Sequence, residues 1–179
     1  MKKTSKSLAR AGLIGAIYVV LTLALPFLGY GPIQFRAGEA MCVLPLLFPE
    51  AVWGLTGGCL LANALGMALG MTTPWDILIG TLATLIAALI TRKIRHDWLA
   101  PLPSVLVNAV MIGTMLTYIM LPGASAAPLI YNIATVGWGN FYRAICLEFR
   151  FCACFAAPDR ADIFNESLAA QARAAQAIL

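Results

Sequence analysis

Long uncharged stretches alternate with short polar connections along this chain. A hydrocarbon core of about 30 Å is crossed by roughly 20 apolar residues in a helix, and several of the stretches have about that length. The pattern predicts an all-α polytopic membrane protein with about six transmembrane helices. The predicted spans are approximately residues 8–28, 40–49, 51–70, 75–91, 99–121 and 128–143.

The second span differs from the others because it is short. Residues 40–49 are bracketed by Glu39 and Glu50 and are interrupted by Pro45. Ten residues of α-helix cannot cross the core alone, so this segment is either a short, tilted helix or a re-entrant piece buried by its neighbours.

Composition agrees with a lipid environment. Hydrophobic residues make up 61% of the chain and charged residues 11%, whereas a soluble domain carries about 25% charged residues. We divide the chain into a membrane bundle, residues 1–142, and an atypical end of the last helix with a cytoplasmic tail, residues 143–179. This length leaves no room for a separate soluble catalytic domain.

The net charge of +4 reflects basic residues that occur mainly in two groups along the chain. One group is at the N-terminus and the other, Arg92, Lys93 and Arg95, follows the fourth span. The positive-inside rule places both groups in the cytoplasm, so we expect a multi-pass plasma-membrane protein with a cytoplasmic N-terminus and no nucleic-acid partner.

Only four charged residues lie between Ala11 and Thr91: Arg36, Glu39, Glu50 and Asp76. Charges at membrane depth are costly and mark candidate functional sites. The topology puts Arg36, Glu39 and Asp76 at the outer face, where they suggest a binding site. Glu39 could accept paired N–H bonds from a planar ligand that Arg36 orients, although a structural Arg36–Glu39 ion pair is the alternative.

Uncharged candidates extend this site. Asn63, Asn108 and Asn132 should point inward, either to a ligand or to neighbouring helices. Trp138 could stack on an aromatic ligand, since its place within the sixth span is poorly explained by an interfacial belt.

The first span carries two overlapping patterns of small residues, Ala11 with Gly15 and Gly12 with Ala16. Small residues let helix backbones approach closely. They serve either packing within the bundle or docking onto a separate membrane subunit.

Enzyme signatures are missing from the sequence. It has no GxxxxGK[ST], HExxH or GxSxG motif, and its five cysteines form no CxxC pair. We therefore expect no enzyme activity, no metal site and no cofactor.

Several segments together resemble the QueT family of queuosine-precursor transporters. They are Gly31-Pro32-Ile33-Gln34-Phe35-Arg36, Glu39-Ala40, Val43-Leu44-Pro45, Gly57-Gly58-Cys59-Leu60-Leu61-Ala62-Asn63, Asp76 with Gly80-Thr81-Leu82-Ala83-Thr84, and Leu99-Ala100-Pro101-Leu102-Pro103 with Val107-Asn108-Ala109. The first three are fairly specific and the others are supportive. The resemblance covers approximately residues 8–139.

This resemblance implies an S component of an energy-coupling-factor transporter. Such a protein is a six-helix bundle that captures a solute outside the cell and works with a membrane coupling (T) subunit and two cytoplasmic ATPase subunits. The implied solute is a 7-deazaguanine precursor of queuosine, with Gln34 added to the site, Glu39 on the guanine-like edge and Asp76 near an aminomethyl cation. An S component for another vitamin and a non-binding membrane scaffold remain alternatives.

The chain departs from the family pattern after Gly139. Asn140 stands where the family tends to have an acidic residue, and the charges of Arg143, Glu148 and Arg150 follow. Three charges are hard to bury in one span. A change of reading frame near residue 140 and a cytoplasmic amphipathic helix both remain open.

Overall fold

The computed structural model describes residues 2–25, 36–94, 96–120 and 126–148, and the regular structure in these ranges is helical throughout. Five α-helices, numbered here α1 to α5, are joined by tighter and wider helical segments. They are α1 (Lys2–Ala24), a 3₁₀ helix (Ala37–Leu46), α2 (Ala51–Ala68), a π turn (Asp76–Gly80) leading into α3 (Thr81–Thr91), a short 3₁₀ turn (Asp97–Leu99), α4 (Leu102–Met120), and α5 (Ala126–Arg143), which continues as a second π turn (Ala144–Glu148).

Three of these helices are long and apolar enough to cross a bilayer: Ser5–Ala24, Ala51–Ala68 and Leu102–Ile119. Two shorter apolar helices, Ala37–Leu46 and Asp76–Thr91, accompany them. Large apolar side chains such as Leu13, Leu61 and Leu106 are more than half exposed, as expected of a surface that faces lipid. The prediction of an all-α membrane protein with a short second span is confirmed.

Glycines allow α1 and α2 to pack closely, and this contact between the two helices is called here the glycine seam. A Cβ added to Gly15 would lie 3.0 Å from the Gly54 carbonyl oxygen, and one added to Gly58 would lie 2.9 Å from the Gly15 carbonyl oxygen. Ala11 meets Gly54 in the same way, so residue numbers rise together in the two helices and they run parallel. The 3₁₀ helix between them therefore returns the chain to the end of the bundle where α1 begins.

This 3₁₀ helix occupies the centre and packs against α1, α2, α3 and the π turn that follows α5. Its ten residues rise about 20 Å at the 3₁₀ pitch, compared with about 15 Å for an α-helix of equal length. The tighter winding lets a short segment reach most of the way across. Gly38 allows it to lie against α1, because a Cβ there would approach the Tyr18 carbonyl oxygen to 2.8 Å.

The remaining helices form antiparallel hairpins. In α4 and α5, Gly113 lies against Ile133 and Gly137 against Ala109, so residue numbers fall in one helix as they rise in the other. Two apolar cores result, one around Leu55 between α1 and α2 and a smaller one around Ile112 between α4 and α5. The charged side chains described next lie between these cores.

Candidate functional site: two buried polar clusters

The first cluster, named here the Arg36 cluster, consists of Arg36, Asn63, Thr73 and Asp76. Arg36 Nη2 lies 3.4 Å from Asp76 Oδ1, and the two residues are 3% and 7% exposed. Asn63, 1% exposed, donates from Nδ2 to the Asp76 backbone oxygen at 3.0 Å. The cluster ties the start of the 3₁₀ helix to α2 and to the first turn leading into α3.

Local sequence explains the position of Asp76. The helix begins at Pro74, and Asp76 Oδ2 reaches back to accept from the Thr73 backbone N–H at 2.9 Å and from its hydroxyl at 2.8 Å. An acid at the third helical position that binds the preceding N–H is half of a capping box, and proline is favoured at the first position. Both carboxylate oxygens of Asp76 are thus engaged within the protein.

The second cluster, named the Arg143 cluster, is centred on Glu39 and Arg143. Glu39 Oε2 accepts from Asn108 Nδ2 at 2.5 Å and from Arg143 Nη1 at 2.6 Å. These bonds connect the 3₁₀ helix with α4 and α5, and all three residues are nearly inaccessible to solvent.

Arg143 uses every guanidinium nitrogen. Nη1 also donates to Asn140 Oδ1 and Nη2 donates to Ser104 Oγ, both at 2.8 Å. Nε donates to Glu148 Oε1 at 3.0 Å, and Nη2 lies 2.9 Å from the same oxygen. Arg143 and Glu148 are both 0% exposed, so two carboxylates share one buried cation.

Sequence reasoning did not assign a site role to Arg143 or Glu148. Five residues apart, they would lie about 140° from each other around an α-helix. The π turn at Ala144–Glu148 widens the helix so that residues separated by five become neighbours. The sequence gives one indication that these two residues have a role, which is that they are charged within an apolar span.

The predicted site residues divide between the clusters and the surface. Arg36, Asn63 and Asp76 belong to the first cluster, and Glu39 and Asn108 belong to the second. Asn132 binds the Thr117 hydroxyl across the α4–α5 hairpin at 2.9 Å, away from both. Trp138 is 68% exposed, with its ring centroid 6.3 Å from that of Phe141, and Gln34 lies outside the described residues.

Three buried oxygens in these clusters have no hydrogen-bond partner in the described part of the chain: Asn63 Oδ1, Asn108 Oδ1 and Glu148 Oε2. The amide orientations are fixed, because Asn63 Nδ2 faces a carbonyl and Asn108 Nδ2 faces a carboxylate, which only accept. All three oxygens are acceptors. In the same part of the chain the buried hydroxyls of Tyr18, Thr22 and Thr81 also have no partner, so the unpartnered groups include donors as well as acceptors.

The small residues of α1 divide into two faces. Ala11 and Gly15 are part of the seam with α2, as the packing alternative predicts. Gly12 and Ala16 are exposed, and a Cβ on Gly12 would meet nothing within 4 Å. The pattern formed by Gly12 and Ala16 thus faces away from the rest of the described bundle.

Buried polar clusters enclosed by a lipid-facing helical bundle are typical of membrane transporters, since intramembrane charged groups often mark solute and ion pathways. The sequence model of the QueT transporter family matches residues 8–150. The chain belongs to the QueT transporter family, which is a family of transporters and not of enzymes.

The matched range includes both members of the Arg143–Glu148 pair. A similar protein is the queuosine precursor transporter QueT of Lactococcus lactis subsp. cremoris, 31% identical over 106 residues. The alignment covers 55% of this chain and 59% of that relative. No solved structure matches the chain.

Proposed function

We propose that this chain is the substrate-binding membrane subunit of an energy-coupling-factor importer and captures a 7-deazaguanine precursor of queuosine from outside the cell. The family supports a queuosine precursor as the solute, because the related protein is named a queuosine precursor transporter. The observation that carries the proposal is a pair of buried amide oxygens with no partner in the described residues, Asn63 Oδ1 in the Arg36 cluster and Asn108 Oδ1, whose amide bonds Glu39, in the Arg143 cluster. A guanine-like edge presents parallel N–H donors, which is what such acceptors require.

The charge distribution supports the proposed orientation. Lys6, Arg10, Arg92 and Lys93 all lie at the end of the bundle where α1 begins, because α3 runs antiparallel to α2 and ends there. The positive-inside rule assigns this end to the cytoplasm. The Arg36 cluster, at the start of α3, is then nearer the outside.

The free face of α1 supports a partner. Gly12 and Ala16 are exposed on a helix whose Ala11 and Gly15 pack against α2. We propose that this face docks onto the membrane coupling subunit, which in turn binds two cytoplasmic ATPase subunits. The chain itself has no P-loop, so nucleotide hydrolysis has to come from such partners.

The proposal is tested by thermal stabilisation of the purified protein with a panel of deazaguanines and vitamins. A ligand at 100 times its Kd adds about 2.7 kcal/mol to the free energy of unfolding, which raises the melting temperature measurably. Glu39→Gln replaces one acceptor oxygen by an amide donor, and we expect that variant to lose most of the stabilisation while still inserting into the membrane. Equal stabilisation of the variant would remove Glu39 from the site.

A second candidate function is favoured by the internal pairing of the charges. Arg36 bonds Asp76 and Arg143 bonds Glu39, as expected of a helical scaffold that binds no solute. A panel in which no compound changes the melting temperature would favour the scaffold. Stabilisation by a vitamin alone would instead indicate an S component with a different substrate.

A further inference from the structure

Two buried acids, Glu39 and Glu148, share one buried cation. Arg36 is matched by Asp76, whereas Arg143 lies 2.6 Å from Glu39 and 2.9 Å from Glu148. All five of these side chains are at most 7% exposed. Two carboxylates that share one site do not both ionise easily, and an uncompensated charge away from water is strongly unfavourable. One of the two acids is therefore expected to keep a proton.

Hydrogen bonds distinguish the two acids. Glu39 Oε2 accepts from Asn108 Nδ2 and from Arg143 Nη1, and both bonds stabilise an ionised carboxylate. Glu148 binds Arg143 through Oε1, while its Oε2 is buried and has no hydrogen-bond partner in the described residues. The oxygen without such support is the better place for a proton, so the proton belongs to Glu148.

The groups that face Glu148 come from three elements of the described structure. Its own helix contributes Arg143, and the 3₁₀ helix contributes Glu39 and the thiol of Cys42. A thiol in these surroundings stays neutral, because burial disfavours the thiolate. α4 contributes the neutral side chains that bond Arg143 and Glu39. A change of charge in this cluster with pH therefore falls on Glu148.

We propose that Glu148 carries a proton in the folded protein and that loss of this proton at rising pH loosens the contact between the end of α5 and the 3₁₀ helix. While Oε2 holds the proton, Arg143 and Glu39 balance each other and the cluster is neutral. When the proton leaves, a second buried carboxylate has no counter-ion of its own, and the π turn at Ala144–Glu148 relieves this by moving toward water.

The position of the contact decides which pH it responds to. The cluster lies where α4 begins and α5 ends, at the end of the bundle that the basic residues assign to the cytoplasm. Cytoplasmic pH is therefore the pH that this contact follows. The inference goes beyond the proposed function, because it concerns how the fold responds to pH with or without a solute.

Two native cysteines report this movement. Cys42 is 1% exposed on the 3₁₀ helix and has Glu39, Arg143 and Glu148 as electrostatic neighbours. Cys59 is 0% exposed on α2 and accepts hydrogen bonds from neutral side chains near the charge-balanced Arg36 cluster. The rates at which a thiol reagent modifies the two cysteines are measured by peptide mass spectrometry on the purified full-length protein. The same thiolate chemistry governs both rates, so their ratio reports opening at Cys42.

An opening that releases one proton becomes up to about tenfold more favourable with each pH unit. We expect the ratio of the Cys42 rate to the Cys59 rate to rise about 10-fold or more between about pH 6 and pH 8 in the wild-type protein. Glu148→Gln keeps the shape of the protonated acid and cannot ionise, so its ratio should stay at the low value throughout. Glu50→Gln is the matched control and should keep the wild-type rise, because it alters a pair whose arginine is 59% exposed.

A wild-type ratio that does not change with pH, or a rise that persists in Glu148→Gln, would overturn the inference. Arg150→Ala removes the next cation along the chain and should leave the wild-type rise unchanged. A rise that occurs only in Arg150→Ala would show that this arginine, and not a proton, neutralises Glu148. If Glu148→Gln does not fold, the wild-type melting temperature is the second measurement. It should fall over the same pH range because the folded state holds a proton that the unfolded state has lost, and a constant or rising value would contradict the proposal.

Discussion

At the scale of single residues, the fold depends on a few charges that are inaccessible to water. Arg143 is the clearest, because it bonds side chains from the 3₁₀ helix, α4 and its own helix. A buried ion pair adds little net stability over an apolar replacement of both partners, but removing one partner leaves the other charge uncompensated. Removing Arg143 alone is thus far more costly than replacing the whole ion pair by apolar side chains.

Arg143→Ala is predicted to lower the free energy of unfolding by about 3–5 kcal/mol, since Glu39 and Glu148 would both lose their cation. Arg10→Ala is the control, because Arg10 pairs with Glu50 at an exposed position and lies 5.6 Å from the Phe48 ring. That change should cost at most about 1–2 kcal/mol. Unfolding measured in detergent would contradict the prediction if the two variants lost equal stability.

At the scale of elements, the departures from regular α-helix coincide with the acids. Glu39 lies in the 3₁₀ helix, Asp76 begins one π turn and Glu148 ends the other. Such segments turn side chains to directions that a continuous α-helix does not offer, and π turns are frequent at functional sites. The three buried carboxylates are therefore placed by local changes of winding.

The glycine seam between α1 and α2 makes a prediction from two adjacent residues. Gly58→Ala is expected to cost about 1–3 kcal/mol by overpacking, because its Cβ would lie 2.9 Å from a backbone oxygen of α1. Gly57→Ala, with nothing within 4 Å of the added Cβ, should be neutral or slightly stabilising through helix propensity. The measurement is the melting temperature of each variant. Equal losses of stability in the two variants would show that close packing between α1 and α2 is not the cause.

Some of these elements can be predicted from the sequence and others cannot. Apolar length predicts α2 and α4 well, since lipid imposes one requirement on every spanning helix. The 3₁₀ winding around Glu39 and the π turn before Glu148 could not be predicted, because tertiary packing selects them and the local sequence does not. Asp76 can be recognised as a site candidate because it is a single charge in an otherwise uncharged stretch, whereas Arg143 is followed by the charges of Glu148 and Arg150, a pattern that does not resemble a membrane span.

At the scale of the whole molecule, α1 has a face of small residues that is not covered by the described part of the bundle. Gly12 and Ala16 are exposed on α1, while Ala11 and Gly15 of the same helix are covered by α2. Membrane helices associate most closely where small residues let backbones meet. This face thus offers close contact to a second membrane protein without disturbing the clusters inside.

Docking on this face is tested with bulky substitutions. Gly12→Leu and Ala16→Leu should weaken co-purification with the proposed coupling subunit about 10-fold or more, because a leucine prevents close backbone approach. Solute binding by the isolated subunit should be unchanged. Ile17→Leu, at an exposed neighbouring position, is the control and should keep the complex intact. Complexes that tolerate leucine at positions 12 and 16 would refute docking through this face.

The bond between Glu39 and Arg143 also sets an order for biosynthesis, since its two residues are 104 positions apart in the chain. At a synthesis rate of about 5–20 residues per second, the ribosome adds the arginine roughly 5–20 s after the glutamate. During that interval the acid has been translated and its counter-ion has not. A nascent chain released before the last helix emerges lacks Arg143, so this acid is left without the arginine that bonds it in the folded protein.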